Sequence, residues 1–215
     1  MDEITSKEKI LKAIRNGLMN HMENPYADVN TDQMVMHSID ESIDVYFAQE
    51  LSKLGGKFIF CDNDQEVLDI LIQLLQEDKI GPIFCVNPIW QNKLAQAGIE
   101  YLYKEEDLSK TKSGITECEF LIARFGSVLM SSGLPSGRRL YAWPEIHLVI
   151  AYASQLVPEI SDAIIGMRET YNGILPSMMT LVSGPSRTAD IEKTLVMGAH
   201  GPRELFVFYI DDLME

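Results

Sequence analysis

Between Ser183 and Pro202 the chain gathers residue types suited to holding an anion. It reads Ser183-Gly184-Pro185-Ser186-Arg187-Thr188-Ala189-Asp190, then Ile191 to Gly198, then Ala199-His200-Gly201-Pro202. Thr180-Leu181-Val182 ahead of it is a short apolar run and predicts a strand. Ile191, Leu195 and Val196 fall at i, i+4 and i+5 and predict one face of a short helix. The stretch between them is then a strand-to-helix turn. Gly184 frees its backbone and Pro185 stiffens it. Ser186 or Thr188 caps the helix, and Asp190 and Glu192 suit its first turn. Backbone N–H groups at such a start attract a phosphate or carboxylate, and Arg187 adds a fixed charge. The competing reading is a capped helix whose Arg187 pairs with a local acid.

Three other places could do chemistry. Gly133 and Gly137 flank a basic loop, Ser131 to Arg139, in which Arg138 and Arg139 suit an anion in an otherwise acidic chain. A solvent-exposed turn explains the same residues. Glu117 precedes a buried run and is a candidate general base; it also reads as a strand-end charge. His200 stands between Ala199 and Gly201 and could fold back over the signature turn, whereas His147 opens an apolar strand and reads as structural. The sequence contains no nucleophile elbow, Walker loop or metal-ligand pair, so no cofactor or metal is expected.

These residues need a scaffold, and the first half of the chain supplies its pattern. Thr5-Ser6-Lys7-Glu8 is a capping box, and Ile10, Leu11, Ile14 and Leu18 mark one face of a helix ending near Asn20. A polar stretch, Met22 to Gln33, separates this arm from the rest. A second capping box, Ser38-Ile39-Asp40-Glu41, predicts a longer helix buried through Ile39, Ile43, Phe47, Leu51 and Leu54. Strands over Lys57–Cys61, Ile83–Val86 and Ile99–Tyr103 then alternate with helices capped by Asn63 and by Asn87-Pro88. This alternation predicts a parallel sheet covered by helices. Further on, Glu117–Ala123 and Val128–Ser132 predict a hairpin or consecutive strands, and His147–Tyr152 and Leu205–Ile210 two more strands.

Composition narrows the function classes. The 215 residues carry 18 basic and 32 acidic side chains, a net charge of −14, which argues against nucleic acid and anionic membrane. No apolar run is long enough to span a bilayer, and the acidic N-terminus has no signal-peptide core. Three scattered cysteines, Cys61, Cys85 and Cys118, read as reduced core thiols of a cytoplasmic protein.

Two separated blocks resemble the lactate utilization protein C family, the LUD domain. One is the Ser-Gly-Pro-Ser-Arg-Thr-Ala-Asp-Ile-Glu run with Gly198-Ala199-His200-Gly201-Pro202-Arg203-Glu204-Leu205. The other comprises Gly114-Ile115-Thr116-Glu117, Gly126-Ser127, Gly137-Arg138, Pro144-Glu145-Ile146-His147 and Val157-Pro158. The family's Ala-Asp-Thr-Gly-Thr segment stands here as Ala123-Arg124-Phe125-Gly126-Ser127, which removes its acid and suggests Arg124 as another anion contact. The resemblance implies a three-layer α/β domain over residues 36–215, with a mixed, mostly parallel sheet and helices on both faces. It implies the fold shared by glucosamine-phosphate deaminase (NagB), ribose-phosphate isomerase (RpiA) and CoA transferases. Residues 1–35 form the helical arm. It further implies a component of a cytoplasmic system oxidising L-lactate to pyruvate, acting with iron–sulfur partner proteins. A small carboxylate or phosphate would be held by Arg138, Gly184, Ser186, Arg187 and Thr188, with Glu117 and His200 as catalytic candidates. Two alternatives stay open: a free-standing enzyme on a phosphorylated sugar or acyl-CoA, and a non-catalytic assembly protein, with homo-oligomers compatible with either.

Overall fold

The computed structural model describes residues 5–19, 38–189, 195–197 and 201–213. Contacts divide the chain into two units, Met1–Ser38 and Ile39–Glu215. In the first, α1 spans Ser6–Met19. Its start follows the expected capping box: the Thr5 N–H donates to Glu8 Oε2 at 2.9 Å, and the Glu8 N–H donates back to Thr5 Oγ1 at 3.4 Å. The apolar stripe Ile10, Leu11, Ile14 and Leu18 is exposed.

The second unit opens with α2, Ile43–Lys53. It starts later than the Ser38 capping box predicts, because Ser42 takes the N-cap position; Ile39 still packs against the core. Next come β1 (Lys57–Cys61), α3 (Asp64–Gln76), β2 (Ile83–Cys85), α4 (Pro88–Gln96) and β3 (Tyr101–Leu102). Asn63 accepts from the Glu66 N–H and Asn87 from the Ile89 N–H, so both predicted caps form. After a 3-10 turn at Glu105–Lys110 follow β4 (Ser113–Glu117), β5 (Phe120–Ile122), β6 (Ser127–Ser131), β7 (Ile146–Tyr152), β8 (Leu156–Val157) and α5 (Ile160–Thr170). The chain closes with β9 (Met179–Val182), β10 (Arg187–Ala189), β11 (Leu195–Met197) and β12 (Glu204–Ile210).

The main sheet has six strands in the order β1-β12-β7-β4-β2-β3, all parallel. One face carries α3 and α4 over a core of Val67, Leu71, Trp90, Leu94, Leu148 and Phe208. The other face carries α2 and a separate four-stranded sheet, β8-β5-β6-β9, through Phe47, Leu51, Leu121, Met130, Val149 and Val207. Helix α5 covers the far side of that second sheet with Ala163 and Met167. The domain is thus α/β and mostly parallel, as expected, with the antiparallel pairs confined to the smaller sheets. Among the described residues no helix is long and apolar enough to cross a membrane.

The signature stretch departs from its expected form. Arg187–Ala189 and Leu195–Met197 pair as antiparallel strands, with Thr188 opposite Val196, where a strand-to-helix turn was expected. A helix of about two turns closes too few hydrogen bonds to offset its nucleation cost. The β-branched Thr188 and Val196 suit a ladder.

Candidate functional site

Strands β2 and β4 are neighbours whose outgoing connections diverge. From β2 the chain passes through α4, on one face, outward to β3. From β4 it passes through the second sheet, on the other face, to β7. In open α/β sheets the crevice outside the carboxyl ends of two such strands is the usual ligand position. Glu117 ends β4 there, and Asn87 follows β2. Asn87 Oδ1 accepts the Ile89 N–H at 2.7 Å and the Trp90 N–H at 3.3 Å, while its Nδ2 donates to Glu117 Oε1. The helix cap and the carboxylate are therefore locked together. Burial raises the Glu117 pKa above the ordinary carboxylate value, only partly opposed by a backbone hydrogen bond. A half-buried carboxyl with a raised pKa is suited to general acid–base work.

Beside this crevice lies a cavity of about 430 Å³ whose wall includes Val86, the residue before Asn87. Phe84, Leu108 and Leu140 form its apolar floor, and Ser136, Arg138 and Arg139 its polar side. Arg138 Nη2 donates to Ser177 Oγ at 2.5 Å, and Arg139 Nη1 is 2.5 Å from Glu105 Oε1. Arg139 thus has a carboxylate partner, while Arg138 meets a neutral hydroxyl and keeps its charge available. The Ser136 hydroxyl is buried with no partner among the described residues.

The other predicted anion ligands lie elsewhere. β9 belongs to the second sheet, so the strand entering Gly184 does not end at the carboxyl edge of the parallel sheet. The stretch packs instead by the amino ends of β1 and β12. Gly184 adopts φ +83°, and a Cβ there would stand 2.7 Å from the Leu54 carbonyl oxygen, so the position suits glycine on both counts. Ser186 donates its N–H to the Pro202 carbonyl at 2.8 Å. Arg187 Nη2 donates to the Leu54 carbonyl at the C-terminal end of α2, where a cation complements the helix dipole. Arg138 bonds a residue just before β9, and Arg187 lies well beyond its other end. The structure therefore does not bring the two arginines together, and the cavity lined by Arg138 does not include Arg187. Thr188 is placed by its backbone in β10, and His200 lies outside the described residues.

Arg124, suggested as an anion contact, is occupied by Glu159: its Nε and Nη2 stand 2.9 and 2.5 Å from one carboxylate oxygen. One cluster was not anticipated. Glu119 accepts from the Tyr171 hydroxyl at 2.7 Å and from the Ser131 hydroxyl, and Ser131 Oγ accepts the Gly133 N–H at 2.9 Å. These residues lie up to 52 positions apart, so no local spacing signals them. Among the described residues no group of three or more His, Cys, Asp or Glu could hold a metal ion. Cys61, Cys85 and Cys118 are free and buried, and burial pushes the first two thiols up to about 12.

His147 is fully buried in β7, with Nε2 2.7 Å from Thr116 Oγ1 and Nδ1 without a partner among the described residues. Burial pushes its pKa down to about 3. The unfolded chain takes up this proton near pH 6.5 and the folded one does not. Stability should therefore be unaffected above that pH. It should fall by up to ~1.4 kcal/mol per pH unit as the pH drops from about 6.5 toward about 3. Urea midpoints across this window should decline less steeply in His147→Asn than in the wild type; equal slopes would refute the assignment.

A family model of the LUD domain matches residues 46–210. Lactate utilization protein C of Shouchella clausii is 30% identical over 179 residues, covering 81% of this chain and 68% of that protein. An uncharacterized protein of Neisseria meningitidis serogroup B is 35% identical over 108 residues, and there the match spans about half of each chain: 50% of this one and 46% of that one. Among solved structures, a DUF162 family protein from Deinococcus radiodurans superposes with a TM-score of 0.56 at 18% identity, covering 78% of this chain and 96% of that one. That likeness concerns the fold. The domain match takes in both blocks of signature residues and all three sheets, and the chain belongs to the LUD domain family.

Proposed function

We propose that the chain serves in lactate utilization as a component that binds a small carboxylate beside the β2/β4 crevice. The observation carrying this reading is the cavity lined by Arg138, by Val86 just past the end of β2 and by Ser136, whose buried hydroxyl has no partner among the described residues. Arg138 supplies the cation for a carboxylate and Ser136 a hydrogen bond. Relatives named lactate utilization protein C support the metabolic assignment. Oxidation of lactate needs an electron acceptor. The three cysteines are buried behind apolar side chains, so iron–sulfur partner proteins take that role.

Thermal unfolding in the presence of lactate, pyruvate and inorganic phosphate tests the reading, since a ligand in excess stabilises the folded state. A carboxylate should raise the midpoint of the wild type. Arg138→Ala should weaken that binding about ten- to a hundredfold, the loss of one charged hydrogen bond. Unchanged affinity in Arg138→Ala, or no response to any carboxylate, would reject it.

A further inference from the structure

The two edges of the parallel sheet differ. β3 is only Tyr101–Leu102, a short edge that offers little to pair with. β1 at the other edge is a full Lys57–Cys61 strand, and among the described residues it pairs with β12 alone. It contains no proline or bulge that would discourage an added strand, and its one charge, Lys57, sits at its start. Beside it runs a groove of about 740 Å³ between β1 and the outer side of α2. Phe60 on the strand is 44% exposed and Val45 on the helix 47% exposed.

The groove is polarised. α2 runs antiparallel to β1, which places Asp44 near the Asp62 end of the strand and Lys53 near the Lys57 end. The charged side chains lining the groove are thus Asp44 at one end and Lys53, which also bonds Glu50 Oε1 at 2.5 Å, at the other. We propose that this face pairs with a second copy of the chain about a two-fold axis perpendicular to the sheet. β1 then lies antiparallel to its mate, with Phe58 opposite the partner copy's Phe60, and the two parallel sheets join into one. The same axis sets the α2 helices antiparallel. Asp44 meets the second copy's Lys53, Val45 its Ser52, and Ala48 its Gln49. The small side chains Ala48 and Ser52 let the helices approach. Isologous pairing of this kind makes each contact twice, so one docking forms the Asp44–Lys53 contact at both ends of the groove. A strand from an unrelated protein would satisfy the β1 edge but not this pattern of opposite charge.

Charge reversal tests the arrangement in the full chain by sedimentation velocity. The wild type should be a dimer. Lys53→Glu sets two acids together at each end and Asp44→Lys two bases, and each alone should weaken dimerisation at least about tenfold. The Asp44→Lys/Lys53→Glu double variant should regain the dimer, as should an equimolar mixture of the two single variants, in which the signs again alternate. Recovery also shows that the single variants fold. A monomeric wild type, a dimer indifferent to the reversals, or a double variant that stays monomeric would overturn the proposal.

Discussion

Gly126→Ala should lower the stability of the α/β unit by about 2–5 kcal/mol, a large share of the ~5–15 kcal/mol typical of a folded domain. Two costs add. Gly126 closes the β5–β6 turn at φ +53°, ψ 36°, where a Cβ costs about 1–2 kcal/mol. The new Cβ would also stand 2.5 Å from the Glu50 carbonyl carbon and 2.8 Å from the Leu51 Cα. Those are backbone atoms of α2, so no rotamer change relieves the clash, and overpacking of this kind costs about 1–3 kcal/mol. Gly98→Ala is the control. Gly98 has φ +72°, but a Cβ there meets nothing within 4 Å, so it should show the backbone cost alone. In urea unfolding the midpoint should fall with little change in slope, further for Gly126 than for Gly98. Equal losses at the two positions would mean that α2 does not seat on this turn.

Phe47→Ala should cost about 3–5 kcal/mol, the usual range for removing a buried aromatic. Phe47 is fully buried at the centre of α2, where the helix, the parallel sheet and the second sheet meet. Its ring sits 6.0 Å from that of Phe58 in an edge-to-face arrangement, an interaction beyond simple burial. Each kcal/mol lowers the midpoint of a domain this size by about 2–4 °C, so thermal unfolding should begin roughly 10 °C lower. Phe47→Leu, which refills most of the volume, should recover more than half of the loss. A loss below about 1 kcal/mol would mean that α2 contributes little to the core.

What the amino-acid sequence determined by itself is local. The Thr5–Glu8 box, the Asn63 cap and the Asn87-Pro88 start each join groups within a few residues, and each forms as its spacing predicts. The alternation of strands and helices from Lys57 to Leu102 was legible for the same reason: each strand ends where a cap begins the next helix. Glu117 was legible as a strand-end acid. Its role at the crevice was not, because that role comes from Asn87, 30 positions earlier, and from the sheet order that makes β2 and β4 neighbours. Arg187 shows the limit most clearly. Its type and its glycine-flanked setting suit an anion, yet its partner is the Leu54 carbonyl, 133 residues away. The Leu195-Val196-Met197 run fits helix and strand periods alike, and only the ladder with Arg187-Thr188-Ala189 selects the strand. Likewise β5 and β6 leave the main sheet because β8 and β9 supply their partners. Short apolar segments carry too little conformational preference of their own, so the tertiary structure decides them through whichever backbone groups it brings within hydrogen-bonding reach.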